Sequence, residues 1–163
     1  EGAPPREEMV RVDLYRLCEE AIAALSEPAR QRGIHMTLSG QSQFVEGSEK
    51  ILREIVYNLC DNAVKYNKDQ GKVEVTVTQE GKRVALYVED TGIGIAPEET
   101  ERVFERFYRV DKSHSKEIGG TGLGLSIVKH AAACHNAKVL LDSQLGKGTC
   151  VGVFFHPARE VRP

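Results

Sequence analysis

Residues 54–66 read EIVYNLCDNAVKY and predict an amphipathic helix that begins after an N-cap at Ser48 and ends near Tyr66. Its polar residues fall in one row, because side chains three and four positions apart lie on adjacent turns. The row consists of Glu54, Asn58, Asn62 and Lys65. An amide oxygen can bind Mg²⁺, and a lysine at the end of the row can neutralise a phosphate. A solvated helix face is the other interpretation, although asparagine is a poor helix former.

A second polar group follows a predicted strand over 83–90. The alternation of that strand puts Asp90 on the same face as its apolar residues. A carboxylate there must find hydrogen-bond donors or take a proton, and the amino group of adenine is such a donor. Gly92 and Gly94 would let the backbone turn closely past a flat ring. An acidic residue beginning a β-turn explains the same residues equally well.

Residues 119–126 read GGTGLGLS and precede a helical pattern. Bare N–H groups at a glycine-rich helix start form an anion site. The spacing matches neither G-x-x-x-x-G-K-[ST] nor G-x-G-x-x-G, which excludes the P-loop and Rossmann interpretations. A flexible linker is the alternative, but Leu123 and Leu125 are unusual in one.

Residues 104–120 are polar and basic and lie between these segments. They fit a mobile lid that closes over phosphates, and taken alone they fit an ordinary surface loop better.

The 163 residues are 40% apolar and 28% charged, with a net charge of −2, which indicates one globular domain and argues against a nucleic-acid binder. No apolar run is long enough to cross a membrane. The four cysteines are widely spaced, which argues against a zinc site and predicts small buried hydrophobes in a reducing setting. They are Cys18, Cys60, Cys134 and Cys150.

Periodicity and turn signals predict mixed helices and strands. Helices are predicted over 14–31, 48–66, 98–107 and 122–134, and strands over 9–13, 34–38, 44–46, 72–79, 83–90, 137–142 and 149–155. The hairpins require antiparallel pairing, so we expect an α+β, two-layer α/β sandwich rather than a doubly wound parallel sheet. Residues 1–8 are predicted to be a linker, 9–156 the domain and 157–163 a tail.

The order of the motifs resembles the catalytic ATP-binding domain of bacterial sensor histidine kinases, within the gyrase, Hsp90, histidine kinase and MutL superfamily. Residues 58–66 resemble the N box, 90–95 the G1 box, 104–109 the F box, 120–125 the G2 box and 146–149 the final glycine motif. The resemblance covers the chain from about Val10 to Phe155. It departs from the family at Asn67, at Asn136-Ala137 and at Cys150.

This resemblance implies the Bergerat fold: a mixed sheet of about five strands, three main helices on one face, and an ATP lid. It implies ATP and Mg²⁺ as ligands, with Asp90 binding the adenine amino group and Asn62 binding the metal. Asn58, Lys65 and Arg109 would be the catalytic residues. The nucleotide would contact Asn58, Asn62, Lys65, Tyr66, Asp90, Gly92, Gly94, Ile95, Tyr108, Arg109, Gly120, Thr121, Gly122, Leu123, Gly124, Leu125 and Thr149.

Superfamily members that hydrolyse ATP place a glutamate where this chain has Asn58, so we expect slow hydrolysis and transfer to a protein. None of the five histidines is followed by an acidic residue, as the family's acceptor typically is. The resemblance therefore implies an acceptor histidine on a separate dimerisation domain, a response regulator as second partner, and a cytoplasmic domain of a membrane-anchored parent. A serine kinase of the anti-sigma type and a nucleotide-sensing module without transfer activity are the alternatives.

Overall fold

The computed structural model describes residues 8–97 and 124–158. These two ranges form seven strands and four helices. In chain order they are β1 (Met9–Asp13), α1 (Leu14–Ala24), α2 (Ser26–Gln31), β2 (His35–Gly40), β3 (Phe44–Ser48), α3 (Glu49–Lys65), β4 (Lys72–Glu80), β5 (Arg83–Asp90), α4 (Gly124–Cys134), β6 (Lys138–Gln144) and β7 (Gly148–Phe155).

A five-stranded mixed sheet in the order β2-β4-β5-β7-β6 forms one layer of the fold. β2 and β4 are parallel, and the remaining neighbours are antiparallel. Strands β1 and β3 pair separately as an antiparallel ribbon. The predicted hairpin over 72–90 and the predicted pairing of the last two strands are both confirmed. So is the mixed two-layer α/β architecture.

Helices α1, α3 and α4 form the other layer and bury their apolar faces with one side of the sheet. On β4 the inward positions are Val73, Val75 and Val77, which are fully buried and alternate with more exposed polar residues, as a sheet covered on one face requires. In the described residues no helix has the length and apolar character needed to cross a bilayer.

Helix α3 begins and ends where the sequence predicts. The Ser48 hydroxyl accepts a hydrogen bond from the Ile51 N–H at 3.4 Å, and Tyr66 is the C-cap. The predicted apolar face is buried, because Leu52, Ile55 and Leu59 are all less than 3% exposed. The polar row is therefore left facing away from the core, where it is available to a ligand.

The predicted helix over 14–31 is in fact two helices, α1 and α2, which meet at Leu25. Pro28 has no N–H to donate to the carbonyl of Ala24, so the hydrogen-bond pattern of α1 is interrupted there and the helix ends at Ala24. The helix predicted from 122 is described from Gly124, and the helix predicted over 98–107 lies outside the described residues.

The cysteine prediction is half right. Cys18 and Cys60 are buried, and burial raises the pKa of the Cys60 thiol to about 12. Cys134 and Cys150 are only partly buried. Cys134 ends α4, and Cys150 alternates with the buried Val151, so it lies on the sheet face that the helices do not cover.

Candidate functional site

The C-terminal end of α3 touches the loop that follows β5. The Tyr66 carbonyl accepts a hydrogen bond from the Ile93 N–H at 3.1 Å. A Cβ added at Gly92 would lie 2.2 Å from that same carbonyl oxygen, so only glycine fits there. The end of the predicted polar row is thereby fixed beside the residues that follow Asp90.

Asp90 lies at the end of β5 with one carboxylate oxygen engaged. Its Oδ1 accepts hydrogen bonds from the Gly92 N–H at 2.8 Å and the Thr149 N–H at 3.3 Å. The described residues donate no hydrogen bond to Oδ2, so this oxygen can accept one from a ligand. Burial raises the pKa of Asp90 to about 6, although the two N–H donors act in the opposite direction. A carboxylate with a raised pKa in a cleft is typical of a functional site.

A turn between β6 and β7 closes the other side of this cleft. Gly94 has a φ of +71°, and a Cβ there would lie 2.1 Å from the Gln144 carbonyl oxygen. Ser143 joins the two segments: its Oγ accepts from the Ile95 N–H at 2.7 Å and donates to the Gly148 carbonyl at 3.1 Å. It also lies 2.7 Å from the Thr149 hydroxyl. Ser143 was not among the predicted site residues, and its signal is a polar residue on the inward face of β6.

Asn67 is a second residue whose role the sequence did not indicate beyond its departure from the family. It is 4% exposed, and its Nδ2 donates to the Lys72 carbonyl at 3.0 Å. Its Oδ1 accepts from the Lys68 N–H at 2.9 Å and from the Thr91 hydroxyl at 3.2 Å. The side chain therefore ties the segment after α3 to β4 and to the loop that carries Gly92.

Asn62 lies against the start of α4. A Cβ added at Gly124 would be 2.7 Å from Nδ2 and 2.9 Å from Oδ1 of Asn62. The first N–H groups of a helix have no partners within that helix, and its dipole makes this end positive. The predicted metal-binding amide and the predicted anion-binding helix start, 62 positions apart in sequence, are thus brought together.

Two of the other three members of the polar row, Asn58 and Lys65, already have partners on α3. The Asn58 amide donates to the Glu54 carbonyl at 2.7 Å. The Lys65 ammonium lies 2.9 Å from a carboxylate oxygen of Asp61. This ion pair was not predicted. Its signal is the four-residue spacing between an acidic and a basic residue on one helix.

Among the predicted contact residues, these contacts bring together one group and place Asn62 with Gly124 one turn of α3 before Tyr66, which touches that group. The group consists of Asp90, Gly92, Gly94, Ile95 and Thr149. Tyr66 is half-buried beside the first group, and Leu125 is half-buried at the start of α4. The predicted contacts at Tyr108, Arg109, Gly120, Thr121, Gly122 and Leu123 lie outside the described residues, as does the predicted lid. In the described ranges no cluster of three or more histidine, cysteine, aspartate or glutamate residues forms a metal site.

Residues 47–159 match the family model described as histidine kinase-, DNA gyrase B-, and HSP90-like ATPase. The chain therefore belongs to this family, whose ATP-binding sandwich has the fold described above.

Within the family, similar curated proteins include sensor histidine kinases. The chain is 39% identical over 150 residues to the sensor-like histidine kinase SenX3 of Mycolicibacterium smegmatis, which covers 91% of this chain and 39% of that protein. It is 44% identical over 115 residues to the phosphate regulon sensor protein PhoR of Pseudomonas aeruginosa, covering 71% of this chain and 26% of that one. The chain thus spans less than two fifths of the length of either relative.

Solved structures agree with this assignment. The mycobacterial sensor histidine kinase MprB has a TM-score of 0.78 at 28% identity, covering 93% of this chain and 99% of the other. Full-length ShkA in complex with AMPPNP has a TM-score of 0.79 at 30% identity, covering 95% of this chain and 32% of ShkA.

Proposed function

We propose that residues 9–156 bind Mg-ATP and transfer its γ-phosphate to a histidine on a separate dimerisation domain. The observation that carries this proposal is that the Ile93–Tyr66 hydrogen bond joins the loop after Asp90 to the end of α3, the helix that carries Asn62. At one end Asp90 keeps Oδ2 available to a ligand, and at the other Asn62 meets the start of α4.

At the adenine end, Oδ2 of Asp90 would accept a hydrogen bond from the exocyclic amino group. Gly92, Gly94 and Ile95 would shape the base pocket, because the two glycines let the backbone pass close to α3 and to the β6–β7 turn. Thr149 would lie beneath the base, held by its contacts with Asp90 and Ser143.

At the phosphate end, Asn62 fits Mg²⁺, since it offers a neutral amide oxygen for which the described residues supply no hydrogen bond. Bound Mg²⁺ would offset charge on the phosphates. Asn58 and Lys65 would contact the phosphates, with Tyr66 on the same wall, and the Asp61 ion pair would hold the Lys65 ammonium at the edge of the cleft. The segment from Gly120 to Leu125 would donate N–H groups, and Tyr108 and Arg109 would close over the nucleotide.

The identity of residue 58 favours transfer over hydrolysis. An amide cannot accept the proton of an attacking water, and the Asn58 side chain is itself bonded to the Glu54 carbonyl. The absence of a base at this position would leave the γ-phosphate intact until an acceptor imidazole arrives.

Asn58→Glu is expected to raise steady-state ATP hydrolysis by about tenfold or more, because it adds a carboxylate one turn before Asn62. Phosphate release by the wild type and the variant measures this. Glu54→Gln, one turn further from Asn62, is the matched control and should leave the rate unchanged. Rapid, acceptor-independent hydrolysis by the wild type would contradict the assignment.

The transfer itself is tested by mixing the domain with the dimerisation domain of the parent kinase and radiolabelled ATP. Label that appears on that domain and is lost in acid but kept in base identifies phosphohistidine, whereas acid-stable label on a regulatory protein identifies the serine-kinase alternative. Binding of ATP with no transfer to any acceptor would favour a nucleotide-sensing module.

We further propose that a response regulator receives the phosphate and that the domain works on the cytoplasmic side of a membrane-anchored parent. These partners are supported by the sensor histidine kinase relatives. One of the chain's own histidines is engaged structurally: His135 Nδ1 lies 3.0 Å from the Ala131 carbonyl, and its Nε2 accepts from the Ser48 N–H at 3.1 Å. That engagement fits an acceptor on another domain.

A further inference from the structure

We propose that Arg32 is a positioning residue for the nucleotide site. Arg32 follows α2 and extends its guanidinium to the end of α3. One terminal nitrogen donates to the Val64 carbonyl at 2.5 Å and the Lys65 carbonyl at 3.2 Å, and the other donates to the Asn67 carbonyl. Its Nε donates to the Asp69 carboxylate at 3.0 Å.

These hydrogen bonds provide donors for carbonyl groups at the end of a helix. The last carbonyls of a helix lack N–H donors within the helix, and that end carries a partial negative charge. A guanidinium is positively charged and presents several donors in one plane, so a single Arg32 side chain serves three carbonyls at once. Arg32 thus adds a side-chain cap, from a distant part of the chain, to the bonds that the Tyr66 and Asn67 N–H groups make at the end of α3.

The capped segment contains the residues that hold the adenine end of the site. The three carbonyls bonded to Arg32 lie on both sides of Tyr66, whose own carbonyl accepts the Ile93 N–H. Asn67 continues the connection through its bond with the Thr91 hydroxyl. Fixing this segment therefore fixes the loop in which Gly92 donates to Asp90.

Backbone hydrogen bonds also join the segment around Arg32 to the segment that follows α3, and these two segments form one corner of the fold. The Gln70 N–H donates to the Arg32 carbonyl at 2.9 Å, and the His35 N–H donates to the Gly71 carbonyl at 3.0 Å. These bonds do not depend on the Arg32 side chain. A variant that shortens only that side chain therefore retains the backbone contacts of the corner and tests the guanidinium by itself.

This inference rests on the proposed function, since it concerns the geometry of the proposed nucleotide site. Arg32→Gln is expected to weaken binding of AMPPNP with Mg²⁺ by about tenfold, because the loop must be ordered when the nucleotide binds. Calorimetric titration at a temperature where both proteins are folded gives the affinity. Arg32→Lys keeps the charge but not the planar fork, and should fall between the two.

Amide hydrogen exchange gives a second readout that needs no nucleotide. We expect the Ile93 amide of Arg32→Gln to exchange about tenfold faster, with the Leu86 amide in the middle of β5 unchanged. Arg30→Gln is the matched control, because Arg30 lies in the last turn of the short helix that Arg32 follows and pairs with the exposed Glu27. It should behave as the wild type in both measurements.

Wild-type affinity and unchanged Ile93 exchange in folded Arg32→Gln would overturn the inference. If Arg32→Gln does not fold, Arg32→Lys and Asp69→Asn take its place in both measurements, and wild-type values in both variants would have the same meaning. If the wild type itself does not bind AMPPNP, the proposed function fails, and the nucleotide part of the inference fails with it. Faster Ile93 exchange would then still show that Arg32 orders the loop.

Discussion

Asp90→Asn is expected to weaken AMPPNP binding by about a hundredfold, the equivalent of roughly 2.7 kcal/mol. Oδ1 of the new amide must still accept from the Gly92 and Thr149 N–H groups, so its NH₂ group takes the place of Oδ2. A donor would then face the adenine amino group, which is also a donor, and a charge-assisted hydrogen bond is replaced by a repulsive contact. Calorimetric titration measures the loss.

The same variant should fold at least as stably as the wild type. The pKa of Asp90 is raised from 3.8 to about 6 in the folded state, so its contribution to stability is present below pH 4 and is lost as the pH rises through 6. Asparagine does not ionise. At pH 8 we therefore expect Asp90→Asn to be more stable by about 1–3 kcal/mol, with the difference shrinking toward pH 4. Denaturant unfolding at both pH values measures it.

Glu89→Gln is the matched control for the effect on nucleotide binding. Glu89 is the exposed neighbour of Asp90 on β5, so its replacement changes one charge without touching the cleft. We expect unchanged nucleotide affinity from it. An Asp90→Asn protein that binds AMPPNP as tightly as the wild type would remove Asp90 from the adenine site.

Asn62→Ala is expected to abolish the dependence of nucleotide affinity on Mg²⁺. In the wild type, Mg²⁺ should strengthen AMPPNP binding by about tenfold or more, because the Asn62 amide adds a protein ligand to the nucleotide-bound metal. In the variant, titrations with and without Mg²⁺ should give the same weak affinity. Glu54→Ala, two turns earlier on the same row, should retain the full Mg²⁺ effect.

The close approach of Gly124 to the Asn62 amide makes the result of this test easier to interpret. The Asn62 amide occupies the space into which a side chain at position 124 would extend. Replacing Asn62 with alanine therefore enlarges the space beside Gly124 and does not block it. Poor binding by Asn62→Ala therefore reports the loss of a ligand atom and not a steric clash. An Asn62→Ala protein with undiminished Mg²⁺ dependence would show that the metal is bound elsewhere.

Local sequence signals were sufficient for the elements that carry these residues. Helix α3 has a serine cap and an unbroken apolar period, and β4 and β5 alternate on both sides of a Glu-Gly-Lys turn. Asn136, one of the departures from the family, has the left-handed conformation that asparagine tolerates at a helix end, with a φ of +54°. In each case the information lies within a few neighbouring residues, where propensity and periodicity apply.

Contacts between residues far apart in the sequence could not be predicted from propensity and periodicity. Nothing near Arg32 indicates that it caps a helix more than thirty positions away, and nothing near Ser143 or Asn67 indicates which loops they join. The parallel pairing of β2 with β4 likewise joins two strands that β3 and α3 separate in the chain. Such contacts follow from the assembled fold, and periodicity records only which face a residue is on.

The central claim is that Asp90 and Asn62 hold the two ends of one Mg-ATP molecule. A crystal structure of the domain with AMPPNP and Mg²⁺ tests it most directly. We predict the adenine amino group within hydrogen-bond distance of Oδ2 of Asp90, and the metal bound to Oδ1 of Asn62 beside the first turn of α4. A nucleotide bound outside this cleft, or in it with the phosphates at Asp90, would contradict the account.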